Sequence, residues 1–272
     1  MRMKFKILGS LMFLYGLMLE GETCKIAFRL DDIQDFWLGE AQRQVIDKFV
    51  TYDVPLTIGV IANFFGSDPQ IVSYLQNVTT NYPIEVAEHG WNHEDFTHYS
   101  YSEQYNKLNQ SRFRIRQSLP QADLVTFIPP FNAFNEETLS AMSDLGYTHL
   151  SSSVGIDSGP FSNTEPIYRY PVGASTDSFN NNPVGVPASR TLEQIQTQIQ
   201  TYGWSVVMLH PQEFNNNATM LFELSSLLEQ VKTLGCSLCL LRYMHLSPDI
   251  SSEGPFSCIS TPGQSAQTGT TG

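Results

Sequence analysis

Strand-length apolar runs that alternate with helix-length amphipathic segments predict an α/β protein. The expected architecture is a distorted or incomplete (β/α) barrel of seven to eight parallel strands, in a single domain. A second observation supports the barrel. Asp31-Asp32, His89, Pro130-Phe131 and His210 all fall at the C-terminal ends of expected strands, where such barrels assemble their sites.

The elements follow in order. Residues 25–30 form an apolar first strand that ends in Asp31-Asp32. Residues 40–52 carry Ala41, Val45, Ile46 and Phe49 at helical spacing. The β-branched run 56–61 is the second strand, and 69–78 is a helix with Ile71, Val72 and Leu75 on one side. Residues 84–87 make a short third strand that delivers His89. A long helix over 101–119 is stopped by Pro120, and the fourth strand, 124–128, runs into Pro129-Pro130-Phe131-Asn132. Asn135 is placed to cap the next helix, with Glu136 and Glu137 in its first turn and Gly146 at its end. Short strands over 149–153 and 167–170 border a Gly-, Pro-, Ser- and Asn-rich middle that extends over 154–190. Then come a helix over 191–202, a strand over 204–209 ending in His210-Pro211, a helix over 219–234 and a last strand over 236–241.

Composition narrows the function. The chain has 272 residues and a formal net charge of −12, which argues against a nucleic-acid partner or an anionic membrane surface. Residues 1–23 place Arg2, Lys4 and Lys6 before an uncharged apolar run, the layout of a signal peptide, so a secreted protein is expected. Residues 24–246 are the expected domain, and the Ser-, Thr-, Gly- and Pro-rich stretch 247–272 a low-complexity tail. Four cysteines fit two disulfides in an oxidising compartment. Cys236 and Cys239 sit at an odd offset in a β-like run, on opposite faces. That favours separate bonds to Cys24 and Cys258 over a bond to each other, with the pairing open. Sequons at Asn77, Asn109 and Asn217 suit a secreted glycoprotein. No partner protein is called for, and a monomer is expected.

The chemistry lies in Glu88-His89-Gly90-Trp91-Asn92-His93-Glu94-Asp95. Histidines four residues apart would face one side of a helical turn, half of a metal site that needs an anionic ligand. Asp31-Asp32 offers that ligand and leaves a second carboxylate free as a general base. Such a set leaves coordination positions open, lowers the pKa of bound water and polarises a carbonyl. His210 could act across the mouth as a general acid. The remaining histidines, His98, His149 and His245, read as core or surface residues.

These motifs resemble those of the NodB-type polysaccharide deacetylases, the chitin deacetylase-like carbohydrate esterases. The likeness runs from about residue 25 to 241. Phe28-Arg29-Leu30-Asp31-Asp32 stands where that family has Thr-Phe-Asp-Asp. His89-Gly90-Trp91-Asn92-His93 is similar to its His-Ser/Thr-x-x-His, and Leu209-His210-Pro211 to its late Leu-x-His.

The resemblance implies Asp31 as base, Asp32, His89 and His93 as metal ligands, and His210 as acid. It also implies an aromatic wall and an oxyanion-holding backbone N–H at Phe131, next to Pro130. Trp91 is a candidate for stacking on a sugar. The implied cofactor is one divalent metal, with zinc expected and cobalt, nickel or manganese as alternatives. The implied substrate is a polymer or oligomer of N-acetylglucosamine. A non-catalytic carbohydrate-binding descendant and a deacylase of another acetylated molecule are the competing readings.

Two departures stand out. The family's Arg-x-Pro-Tyr/Phe motif is Ile128-Pro129-Pro130-Phe131 here, so the arginine that orients the aspartate in relatives is missing. Asn132, or another basic residue such as Arg29, is open to take its place. The aspartate that tunes the acid histidine has no clear match, with Asp157 and Asp177 both open.

Overall fold

The computed structural model describes residues 24–159, 161, 166–177, 185–246 and 258–261. The expected leader over 1–23 and most of the expected tail lie outside these residues. Within them, strands β1 (Lys25–Ile33), β2 (Leu56–Val60), β3 (Ile84–Glu88), β4 (Thr126–Phe127), β5 (His149–Leu150) and β6 (Tyr168–Arg169) pair in chain order, all parallel. Beyond them lie β7 (Ala174–Ser175), β8 (Trp204–Leu209), β9 (Ser237–Cys239) and β10 (Ile259–Ser260).

The ladder returns to its start. The run from β6 to β7 hydrogen-bonds to β5 through Tyr170 and Val172, then to β8 through β7. In turn β8 pairs with β1 from Lys25 to Leu30. A strand has two edges, so β1 gives one to β8 and shares the other between β9 at its start and β2 at its end. The expected α/β barrel is therefore present and distorted at β1, where three strands meet.

Helices α1 (Gly39–Thr51), α2 (Pro69–Asn81), α3 (Tyr101–Ser118), α4 (Glu136–Asp144), α5 (Ala188–Tyr202) and α6 (Ala218–Val231) alternate with the strands. Asn135 caps α4 as expected, its side chain accepting from the Thr138 N–H at 3.1 Å. No helix among the described residues is long and apolar enough to cross a membrane.

Period-two alternation on β1 separates the two cores. Ile26, Phe28 and Leu30 join Val45, Ile46, Phe49 and Leu228 in the layer between sheet and helices. Ala27 joins Ala87, Ile128, Val206 and Met208 inside the barrel. Burying the side chains of the outer layer contributes about 1.5–3 kcal/mol each. Arg29 and Asp31 share the inward register of Ala27, so the strand's first-half alternation carries two charged side chains into the barrel.

Two expectations need correction. The strand over 236–241 is only Ser237–Cys239, and it is not the last one. A disulfide from Cys239 to Cys258 brings Ile259–Ser260 alongside it as the antiparallel β10, so the stretch read as a low-complexity tail contains a paired strand. Cys24 bonds to Cys236, which matches the opposite faces read for Cys236 and Cys239. Finally, β7 and β10 are two residues each, too short for periodicity to register.

Candidate active site

The end of β1 has to deliver two neighbouring carboxylates to one place, although successive strand residues face opposite sides. Asp32 resolves this with a left-handed backbone, φ 63°, where the β1–β2 register slips between Leu30 and Ile33. The bulge re-aims the Asp32 side chain. Asp31 stays on the inward face and is 2% exposed.

His89 follows the end of β3. The helical turn expected for the histidine pair is absent: β3 ends at Glu88, and residues 89–95 form an irregular loop. Two left-handed residues, Gly90 at φ 76° and His93 at φ 59°, fold that loop back. Glycine is needed at 90 on a second count, because a Cβ there would meet Pro130 Cγ at 3.0 Å. The result still brings the imidazoles together, with ring centroids 5.0 Å apart.

Asp32 Oδ1 lies 3.3 Å from His89 Nε2 and 3.3 Å from His93 Nε2. The ligand atoms of this trio all lie within 4.8 Å of one another. His89 Nδ1 donates to the Ile128 carbonyl at 2.7 Å, since a carbonyl can only accept. That fixes the proton on Nδ1 and leaves Nε2 a lone pair. Both His89 Nε2 and Asp32 Oδ1 are buried with no hydrogen-bond partner among the described residues. Burial pushes the Asp32 carboxyl up, but the imidazoles of His89, His210 and His93 close to it outweigh that and hold it below the usual range. Burial and the neighbouring His89 push His93 down. A cation needs a carboxylate oxygen and imidazole nitrogens that converge with lone pairs free, so the trio fits a divalent metal.

His210 follows β8 on the far side of β1. Its Nε2 lies 3.9 Å from Asp31 Oδ2, and its Nδ1 lies 2.5 Å from Asp177 Oδ2. Burial opposes the imidazolium, yet the Asp177 hydrogen bond and the charges of Asp177, Asp31 and Asp32 push His210 up to about 9. Of the two aspartates left open by the sequence, Asp177 is thus the one on His210, while Asp157 pairs with Arg169 at 2.9 Å.

The arginine that Ile128 replaces has its place beside Asp31 filled from elsewhere. Arg29 Nη2 lies 3.1 Å from Asp31 Oδ2 and donates to Asn132 Oδ1 at 2.6 Å. Ile128 itself contributes its backbone oxygen to His89, a role independent of side-chain type.

Pro130 is buried, whereas Phe131 is 61% exposed and sets its ring edge-on to His93 at 4.7 Å. Trp91 packs half-buried against the outer core. Among the described residues, four of the eight non-glycine residues with positive φ belong to this site: Asp32, His93, Phe131 and Asn132. Each such residue costs roughly 1–2 kcal/mol, so backbone strain is concentrated where the chemistry-bearing groups converge.

The fold and site together define an α/β barrel whose mouth holds a carboxylate–imidazole cluster flanked by a second carboxylate and a third imidazole. Residues 21–150 match the sequence profile described as polysaccharide deacetylase, so that stretch is similar to the NodB-type deacetylases and esterases, a family of enzymes that hydrolyse acetyl groups. The family generally uses a divalent metal. No curated protein sequence matches the chain.

Solved structures share the fold at low identity. The carbohydrate esterase family 4 domain of a xylanase from the hindgut metagenome of Trinervitermes trinervoides has a TM-score of 0.53 and 18% identity, over 77% of this chain and 83% of that one. A peptidoglycan N-acetylglucosamine deacetylase gives 0.59 and 15%, over 81% and 87%. A pseudoenzyme of the same family from Bacillus anthracis gives 0.54 and 14%, over 77% and 62%.

Proposed function

We propose that the chain is a secreted, metal-dependent deacetylase of polysaccharides or oligosaccharides that contain N-acetylglucosamine. The observation that carries this reading is the pairing of Asp31 and His210 beside the Asp32–His89–His93 trio, with an acid-tuning aspartate on His210. Zinc suits this donor set, and cobalt, nickel or manganese would also be accepted.

Asp32, His89 and His93 would hold the cation, which when bound lowers the pKa of water and polarises the acetyl carbonyl. Asp31 takes the proton of the attacking water. Its Oδ1 makes no hydrogen bond among the described residues and is the oxygen left for that proton. The water oxygen bonds to the carbonyl carbon, and the Phe131 N–H steadies the oxyanion that forms. His210, charged because of Asp177, gives its Nε2 proton to the amide nitrogen. The carbon–nitrogen bond then breaks, releasing acetate and a free amine.

Two features support a carbohydrate substrate outside a reducing cytosol. Phe131 presents an exposed ring beside the trio, the kind of face on which sugars stack. Both disulfides are of a kind that persists in oxidising compartments. The deciding experiment is acetate release from N-acetylglucosamine oligomers by purified protein, before and after chelation. Chelator-insensitive release would overturn the metal reading. Oligomer binding with no acetate release would leave a non-catalytic carbohydrate-binding protein, and release only from other acetylated molecules would move the substrate.

A further inference from the structure

The arginine expected on the fourth strand is a buried isoleucine here, yet Asp31 still has a guanidinium. We propose that Arg29 is the positioning residue of this reaction, and that Arg29 and Asn132 form one bridge holding the base and the Pro130–Asn132 turn in fixed relation. This inference rests on the function proposed above.

The bridge begins with register. Arg29 and Asp31 are two apart on β1, so both side chains enter the barrel on the same face. Arg29 is 1% exposed, and a buried guanidinium is tolerated only when paired and hydrogen-bonded. Its partners among the described residues are Asp31, Asn132, the two serines that follow β5 and Met208 on β8. Nη1 donates to the Ser151 carbonyl, to Ser151 Oγ at 3.0 Å and to the Ser152 carbonyl at 3.3 Å, just past β5. Nη2 also approaches Met208 Sδ at 3.2 Å, on β8. These contacts fix the plane of the fork from the far wall of the barrel.

With the plane fixed, Nη2 faces two acceptors at once, Asp31 Oδ2 and Asn132 Oδ1. It therefore ties down one oxygen of Asp31 and leaves Oδ1 for the proton. At its other end it holds a strained turn. Phe131 and Asn132 are consecutive left-handed residues, φ 56° and 58°. Asn132 is gripped on both sides, its side chain by Arg29 and its carbonyl by Ser152 Oγ. Phe131, the proposed oxyanion donor and sugar wall, has its backbone set by that grip. Isoleucine at 128 is then no defect, because the charge reaches the same carboxylate from β1.

The test compares the wild type with Arg29→Met, Arg29→Lys, Asn132→Leu, and the pair Arg29→Thr and Arg29→Thr/Ile128→Arg. Acetate release gives kcat and KM, metal analysis gives the cation per chain, and amide exchange follows the turn without substrate. Asn132→Leu and Arg29→Lys should lower kcat about ten-fold, and Arg29→Met about a hundred-fold, with KM and metal content held within about three-fold. Exchange at the Asn132 and Ala133 amides, which donate to Pro129 and Pro130, should quicken about ten-fold in Arg29→Met and in Asn132→Leu. Returning the guanidinium to position 128 should recover about ten-fold of the kcat lost in Arg29→Thr.

Unchanged kcat in folded Asn132→Leu overturns the bridge, as does unchanged exchange in Arg29→Met. A folded double variant no better than Arg29→Thr overturns the claim that the charge on Asp31 is what matters. If the wild type releases no acetate, the proposed function fails, and the exchange result alone judges the bridge.

Discussion

His210 Nδ1 stands 2.5 Å from Asp177 Oδ2, and this contact decides which way the imidazole titrates. Burial alone would push His210 down, but the bond to Asp177 and the charges of Asp177, Asp31 and Asp32 push it up to about 9. The acid proposed here must be protonated, so its contribution should be complete at neutral pH and be lost as pH rises through about 9. Asp177→Asn removes both the bond's charge and its field. The alkaline limb of acetate release should then move toward the ordinary value of 6.5. An unmoved limb in the folded variant would mean that His210 is not the acid.

Asp31 and Asp32 are neighbours with different assignments, and substitution should separate them. Asp31→Asn should cut kcat by about 100- to 10,000-fold, the usual worth of a general base, with metal content unchanged. Asp32→Asn, which strips the anionic member of the trio, should lose the metal. Metal analysis beside the acetate assay checks both, and equal metal loss in the two variants would defeat the division of labour.

Much of this geometry was legible in the sequence, and the gaps have physical causes. Strand–helix alternation carried the barrel, and the spacing of His89 and His93 carried their proximity. The reason for that proximity was misread, because positive φ at Gly90 and His93 replaces the helical turn. The bulge at Asp32 was likewise invisible, since a strand pattern says nothing of where its alternation breaks. Arg29 could be suggested but not assigned. Its partners Asn132, Ser151 and Ser152 lie over a hundred residues away and meet it only once the barrel closes. Asp177 and Asp157 both lie in an irregular stretch, and pairing with Arg169 or His210 is what distinguishes them.

The barrel floor carries a separate titration. His149 Nε2 and His245 Nδ1 are 2.9 Å apart, and burial, with the charges of His245 and Arg242, pushes His149 down to about 3. The unfolded chain therefore binds the extra proton between about 3 and the ordinary 6.5. Stability should be full above that window and fall as pH drops through it, by up to about 1.4 kcal/mol per pH unit for one proton. Denaturation with urea at several pH values reads this slope. His149→Asn should flatten it, and an unchanged slope would assign the acid sensitivity to other groups.

Phe36, four residues past Asp32, is 77% exposed and sits at φ 53°, so it bears a left-handed strain that buries nothing in return. Its loop is tied to the next one by the Asp35 N–H to the Phe64 carbonyl at 2.8 Å, and Phe64 is also exposed. Two rings held outward at consecutive strand ends suit stacking on sugars that extend beyond the reacting residue. Phe36→Gly should relieve the backbone and raise the thermal midpoint slightly, since glycine adopts positive φ freely. The same change should raise KM for N-acetylglucosamine oligomers several-fold while leaving kcat near its original value, because the ring would bind ground and transition states alike. Thermal melts and steady-state kinetics on one set of samples check both halves. Greater stability with an unaltered KM would show that the exposed ring does not meet the substrate.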